Sequence, residues 1–165
     1  MLERRPVAED DAPFLRELYA STRPDLALLP TEARDVILPL QLRAQRQDWT
    51  ARFPGSEHDL IVLDGLPVGR TWVAWLEDEC RIVDLSLLPA WRGRHVGSEV
   101  AEKVLGRADR DGLPVRLSVA GDNVRGVSFW ERLGFAQAGG DGVYLAFERP
   151  LRTARPARVS RAPSR

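Results

Sequence analysis

The 165-residue chain has a single cysteine, Cys80, so neither an intramolecular disulfide nor a cysteine-built zinc site is open to it. No apolar run approaches the ~20 residues that cross a bilayer. The opening stretch, MLERRPVAEDDAP, lacks the apolar segment of a signal peptide. The expected address is cytoplasmic, with no membrane partner and no metal. Acidic residues stop at Glu148: the tail LRTARPARVSRAPSR carries Arg152, Arg155, Arg158, Arg161 and Arg165 and no acid. Basic and acidic residues number 24 each, so without those five arginines the body holds 19 bases against 24 acids. Such a body is not a typical nucleic-acid binder, although the tail has the charge to touch nucleic acid or an acidic partner through counterion release. Residues 151–165 read as a solvated, disordered end. Internal repeats are absent, as are a dinucleotide GxGxxG and a triphosphate loop with GK followed by Ser or Thr.

What is present reads as one soluble domain over residues 1–150, with 44% hydrophobic and 29% charged residues. LERRPV suits a short strand. Asp10 or Asp11 can open a helix with Pro13 in its first turn and Phe14, Leu15, Leu18 and Tyr19 on one face. After the loop STRPDLALLP, a second helical region runs from Thr31 to about Phe53. Its expected inward positions are Val36, Ile37, Leu40, Trp49 and Phe53, and Pro39 should kink or split it. HDLIVLDGLPVGRTWVAWL is a hairpin turning at Asp64-Gly65. CRIVDLSLLP is a further strand. Val96, Val100, Val104 and Ala108 mark a helix face that stops near Gly112. VRLSVA is a strand, DNVRGVSFWERLG a helix, and FAQAG and GVYLAFERP two strands around a glycine-rich turn. The order is β-α-α-β-β-β-α-β-α-β-β, a mixed α/β (α+β) chain.

One stretch calls for chemistry. In LLPAWRGRHVGSEV a strand ends at Pro89, passes through two arginines and two glycines, and enters a helix. Free amides and the dipole at a helix start favour an anion, and glycine lets it approach. Arg92, Gly93, Arg94, His95, Val96 and Gly97, followed by a helix opened by Asn123 with Gly126, Phe129-Trp130 and Gly134-Phe135, resemble the two hallmarks of the GNAT N-acetyltransferase superfamily. The resemblance is strong over about residues 80–148. It implies a central mixed, mostly antiparallel sheet of six to seven strands flanked by about four helices. It also implies acetyl-CoA as acyl donor, with CoA as product and direct attack by an amine in a ternary complex.

The resemblance further implies backbone contacts to the pantetheine and thioester from Leu85, Ser86 and Leu87, and a pyrophosphate cradle from the amides of Arg92, Gly93, Arg94, His95, Val96, Gly97 and Ser98. Asn123 would meet the pantetheine region, and Phe129 and Trp130 would lie near the thiol. Two departures stand out. His95 replaces the usual middle glycine of the loop, and Trp130 stands where many members have a tyrosine able to protonate the departing thiolate. Strand alternation puts Asp84, Ser86 and Leu88 on one face and Leu85 and Leu87 on the other. Asp84 is the candidate general base, against a structural aspartate. Tyr144 is the candidate acid or substrate contact, against a core tyrosine with a wet hydroxyl. His58 reads as surface and Cys80 as a strand residue. Trp72 and Trp75 read as core or sheet cover, with one as a possible pocket wall, and Trp49 as packing. Arg70 and Arg81 are either solvated or partners for an acidic acceptor. The acceptor is a small-molecule or peptide amine, its specificity expected from about Ser21 to Phe53. A homodimer is compatible with the resemblance, and the competing function is an acyl-CoA sensor or interaction module that binds without turnover.

Overall fold

The computed structural model describes residues 1–151; the arginines of the tail, from Arg152 on, lie outside the described residues. The elements are β1 (Leu2–Pro6), α1 (Ala12–Ser21), α2 (Thr31–Arg52), β2 (Glu57–Leu63), β3 (Leu66–Trp75), β4 (Cys80–Leu87), α3 (Val96–Asp111), β5 (Val115–Ala120), α4 (Val124–Arg132), β6 (Ala136–Gly140) and β7 (Tyr144–Arg149). This is the order read from the sequence. They form one seven-stranded sheet, ordered β1-β2-β3-β4-β5-β7-β6, antiparallel except where β4 meets β5. Among the described residues no helix is long and apolar enough to cross a membrane.

Helices cover both faces. Leu60 and Val62 of β2 pack with Phe14 and Leu15 of α1 and Leu42 of α2. Ile61, on the other side of the same strand, packs with Val68, Leu87 and the α3 residues Val96 and Val100. The largest cluster lies on that second side, where Ala101, Val104, Leu105 and Ala108 of α3 and Trp130 of α4 meet Val115, Leu117, Val119 and Phe147. Each fully buried aliphatic side chain there contributes about 1.5–3 kcal/mol, enough to make this half a rigid support. The β2–β3 turn has φ +51° at Asp64 and +81° at Gly65, a two-residue geometry whose twist matches the strands. Arg5 grips Asp11 through both oxygens at 2.8 and 2.7 Å. That grip, aided by the Ala8 amide, holds the Asp11 carboxyl down to about 2 and ties β1 to the start of α1.

Two local expectations need correcting. α2 is continuous through Pro39: proline removes only one intrahelical bond, and Ile37, Leu38 and Leu42 anchor both halves against α1 and the loop before α2. Its inward phase is set by those residues, leaving Val36 and Leu40 exposed. The loop before α2 carries a short 3-10 turn, Pro24–Leu28, whose Leu26 is buried.

Candidate active site

β4 and β5 pair only at Cys80–Val115, Arg81–Arg116 and Ile82–Leu117. Beyond that β4 follows β3 to Leu87 opposite Gly69, while β5 follows β7 to Ala120 opposite Tyr144. The parting begins at a bulge. Trp72 faces Asp84 and Val73 faces Ile82, so Val83 is the extra residue, and a bulge of this kind adds twist to its strand. The Leu88 amide donates to the Val68 carbonyl on β3. Alternation along an antiparallel pair then turns the backbone groups of Ser86 toward β3 and those of Leu85 and Leu87 into the cleft. Ser86 is therefore not a backbone donor to the cleft; it enters the site through its hydroxyl.

Past Leu87 a 3-10 turn, Pro89–Trp91, leads to two left-handed residues, Gly93 at φ +72° and His95 at φ +63°. His95 caps α3 in a conformation that costs a side-chain-bearing residue roughly 1–2 kcal/mol. The sequence departure thus falls on the position where glycine is most comfortable, and the backbone adopts the turn regardless. The amides of Gly93, Arg94, His95, Val96, Gly97 and Ser98 have no hydrogen-bond partner among the described residues; the next, Glu99, donates to the His95 carbonyl at 3.0 Å. Arg92 differs from expectation. Its amide donates to the Pro89 carbonyl and its Nε to the Leu87 carbonyl at 2.8 Å, so it braces the loop from within. Arg94 is exposed and lies over the Trp91 ring, 5.4 Å from its centroid.

Beneath the loop, a Cβ on Gly97 would meet Leu87 at 3.5 Å and Phe129 at 3.7 Å, ordinary contact distances, so α3 lies close on β4 and α4 there without glycine being required by space. Asn123 caps α4 by accepting from the Gly126 amide at 3.0 Å, and a Cβ at Gly126 would lie 2.5 Å from the Asn123 side chain. This explains the Asn-to-Gly spacing locally. Trp130 is 7% exposed and packs edge-on against Phe129 and Phe135. Contrary to expectation it is core rather than cleft lining, because one residue along a helix turns its side chain away from the face of Phe129.

The opposite face of β4 carries Asp84 and Ser86. Arg70, buried on β3, donates from Nε to Asp84 Oδ2 at 2.6 Å, and Ser86 Oγ donates to the same oxygen at 2.6 Å. Asp84 Oδ1 has no partner among the described residues, and the side chain is 21% exposed. From α2, Gln45 Oε1 accepts from Arg70 Nη2 at 2.8 Å, and the Trp49 ring lies 5.2 Å from the guanidinium. Arg70 is thus neither solvated nor free for an acidic acceptor. The sequence signal for it was a charged residue in the inward phase of an apolar strand. Arg81 pairs with Glu79.

Next to this network His58 stacks on Trp72 at 4.0 Å, and Trp72 donates to Ser56 and meets Trp49 edge-on. Trp72, 3% exposed, has no surface to wall a pocket. His58 is partly buried rather than a surface residue. Burial, with the charges of Arg70 and Arg46, holds its imidazole down to about 4. Cys80 is fully buried and its thiol is pushed up to about 12 by that burial, which leaves it inert. Tyr144 is not a core residue: it is 56% exposed. Its neighbours Leu145 and Phe147 pack on the α3 side, so Tyr144 shares the face of Asp84 across the parted strands.

Residues 14–135 match the acetyltransferase (GNAT) family. Among curated protein sequences none matches the chain. Solved structures do. An N-acetyltransferase, PaiA, from Thermoplasma acidophilum in complex with coenzyme A superposes with a TM-score of 0.71 at 17% identity, over 91% of this chain and 99% of that one. An acetyltransferase from Thermus thermophilus gives 0.69 at 23%, over 92% and 97%. The ribosomal-protein-S18-alanine N-acetyltransferase from Escherichia coli gives 0.65 at 14%, over 95% and 98%. At these identities the likeness is one of fold. With the match over residues 14–135, the chain belongs to the GNAT acetyltransferase family.

Proposed function

We propose that the chain transfers an acetyl group from acetyl-CoA to a primary amine by direct attack in a ternary complex, in a cytoplasmic setting. The observation that carries this reading is the construction of β4. One edge opens onto a cleft that ends in the unpartnered amides of Gly93–Ser98, and one face presents Asp84 Oδ1 without a protein partner among the described residues. The donor set fits acetyl-CoA: a run of free amides at a helix N-terminus suits a pyrophosphate, and backbone groups of Leu85 and Leu87 suit an amide-bearing arm. Acetyl-CoA, when bound, supplies an activated acyl thioester.

The chain's own groups do the rest. Leu85 and Leu87 amides orient the carbonyl and oppose the negative charge that develops on its oxygen. Asp84 Oδ1 accepts the proton of the attacking amine, directly or through one water. Tyr144, on this face, is the candidate to return a proton to the thiolate, since indole is no practical acid and Trp130 is buried. Holding both reactants in register supplies up to roughly 7–11 kcal/mol of barrier reduction.

The test combines calorimetric titration of acetyl-CoA with thiol release across a panel of small and peptide amines. Asp84→Asn is expected to lower kcat by roughly 10²–10⁴ while leaving acetyl-CoA affinity within twofold. Undiminished turnover in that variant would remove Asp84 as base. Binding without release across the whole panel would support the sensor reading instead.

A further inference from the structure

Given the reading of Asp84 as base, we infer that Gln45 and Arg70 are positioning residues, and that helix α2 thereby aims the reacting carboxylate. Arg70 is 4% exposed and holds only Oδ2 of Asp84; the hydroxyl of Ser86 holds the same oxygen. Two bonds on one oxygen restrain the carboxylate's rotation and leave Oδ1 without a partner among the described residues. Arg70 is itself fixed from α2, by Gln45 Oε1 on Nη2 and by the Trp49 ring over the guanidinium. The chain of contact runs Gln45–Arg70–Asp84, from a helix across one face of the sheet to Oδ2, the oxygen that anchors the carboxylate.

One turn earlier on the same helix, Gln41 makes the matching bond to a different arginine. Its Oε1 accepts from Arg23 at 2.9 Å, and Arg23 pairs with Asp25 in the loop before α2. The two glutamines share helix, chemistry and partner type, and differ in what their arginine holds. Gln41 fastens a loop; Gln45 fastens the base. This makes Gln41 an internal control for a role that is only structural.

The experiment compares Gln45→Met, Gln41→Met, Arg70→Lys and Asp84→Asn in the full chain, with thiol release for turnover and calorimetry for acetyl-CoA. Gln45→Met is expected to lower kcat about tenfold, because small misplacements of a reacting group are costly, with acetyl-CoA affinity unchanged. Gln41→Met is expected to lower kcat clearly less than Gln45→Met, any effect of loosening the loop before α2 falling on the KM for the amine. Arg70→Lys, which keeps the charge but loses the fork, should fall between Gln45→Met and Asp84→Asn. Equal effects of the two glutamine changes on kcat overturn the inference while an inactive Asp84→Asn leaves the base reading standing. An active Asp84→Asn sinks both. A second readout needs no turnover: in a thermal double-mutant cycle the losses from Gln45→Met and Asp84→Asn should be less than additive, and additive losses overturn the coupling.

Discussion

On the cleft side β4 offers backbone: the amides of Leu85 and Leu87 and the Leu85 carbonyl, leading into the free amides of Gly93–Ser98. On the α1/α2 side the same strand carries side chains, Asp84 and Ser86, held in a network that draws Arg70 from β3 and Gln45 and Trp49 from α2. On the proposed reading the donor side rests chiefly on backbone conformation, braced from within by the Arg92 side chain. On the same reading the acceptor side rests on particular side chains brought from far apart, so single substitutions there are expected to act on chemistry and leave the cradle intact.

One glycine can break that separation. A Cβ on Gly69 would sit 2.3 Å from the Ser86 carbonyl oxygen and 2.6 Å from the Leu87 side chain, against backbone that has no room to give. Gly69→Ala must push β4 off β3 where the strand serves both sides. We expect a loss of about 2–3 kcal/mol in urea unfolding, with acetyl-CoA binding and turnover both impaired. Intact binding with only turnover lost would mean the cleft edge moves independently of the strand pairing.

The same contrast explains what the sequence made legible. The anion loop is local: arginine, glycines and helix start follow one another without interruption from Arg92 to Ser98, and the Asn123-to-Gly126 cap is contained in a single turn. Alternation along one strand was enough to place Asp84 with Ser86. The Arg70–Asp84 pair was hidden because it joins two strands whose register depends on the Val83 bulge, and a bulge leaves no mark in composition. Gln45 was hidden because the phase of α2 was read from Val36 and Leu40, which the structure exposes. His58 and Tyr144 were misjudged for a related reason: burial of a strand-end residue depends on what packs over it, which here is set by Trp72 for one and by open solvent for the other.

The conformational character of the donor side can be sharpened at His95. If only the left-handed turn matters there, His95→Gly relieves strain of roughly 1–2 kcal/mol and gives part of it back through the greater freedom of glycine in the unfolded chain. The expected net is a gain of about 0.5 kcal/mol in unfolding free energy, with acetyl-CoA affinity equal or tighter and turnover unchanged. A marked loss of affinity would show that the imidazole itself meets the phosphate, and that the loop relies on a side chain after all.

The acceptor side should also be where stability responds to mild acid, since the donor side's amides do not titrate. His58 is the group that decides it, flanked by Trp72 and Arg70 from β3, Arg46 from α2 and Asp84 from β4. Its imidazole is held down to about 4 from an ordinary 6.5, so between those values the unfolded chain binds a proton that the folded chain refuses. Stability is therefore full above about pH 6.5, falls as pH drops through that window, and loses nothing more to this group below about 4. Partial exposure of the ring reduces the linkage to roughly 1–2 kcal/mol. Asp11, held down to about 2 from 3.8, has the same sign, its contribution being lost as pH falls, but only between about 3.8 and 2, below the His58 window. Urea midpoints measured at about pH 7 and about pH 5 should differ for the natural chain and nearly coincide for His58→Phe, which keeps the stack on Trp72 and cannot titrate. An unchanged pH dependence in that variant would move the acid-sensitive group elsewhere in the molecule.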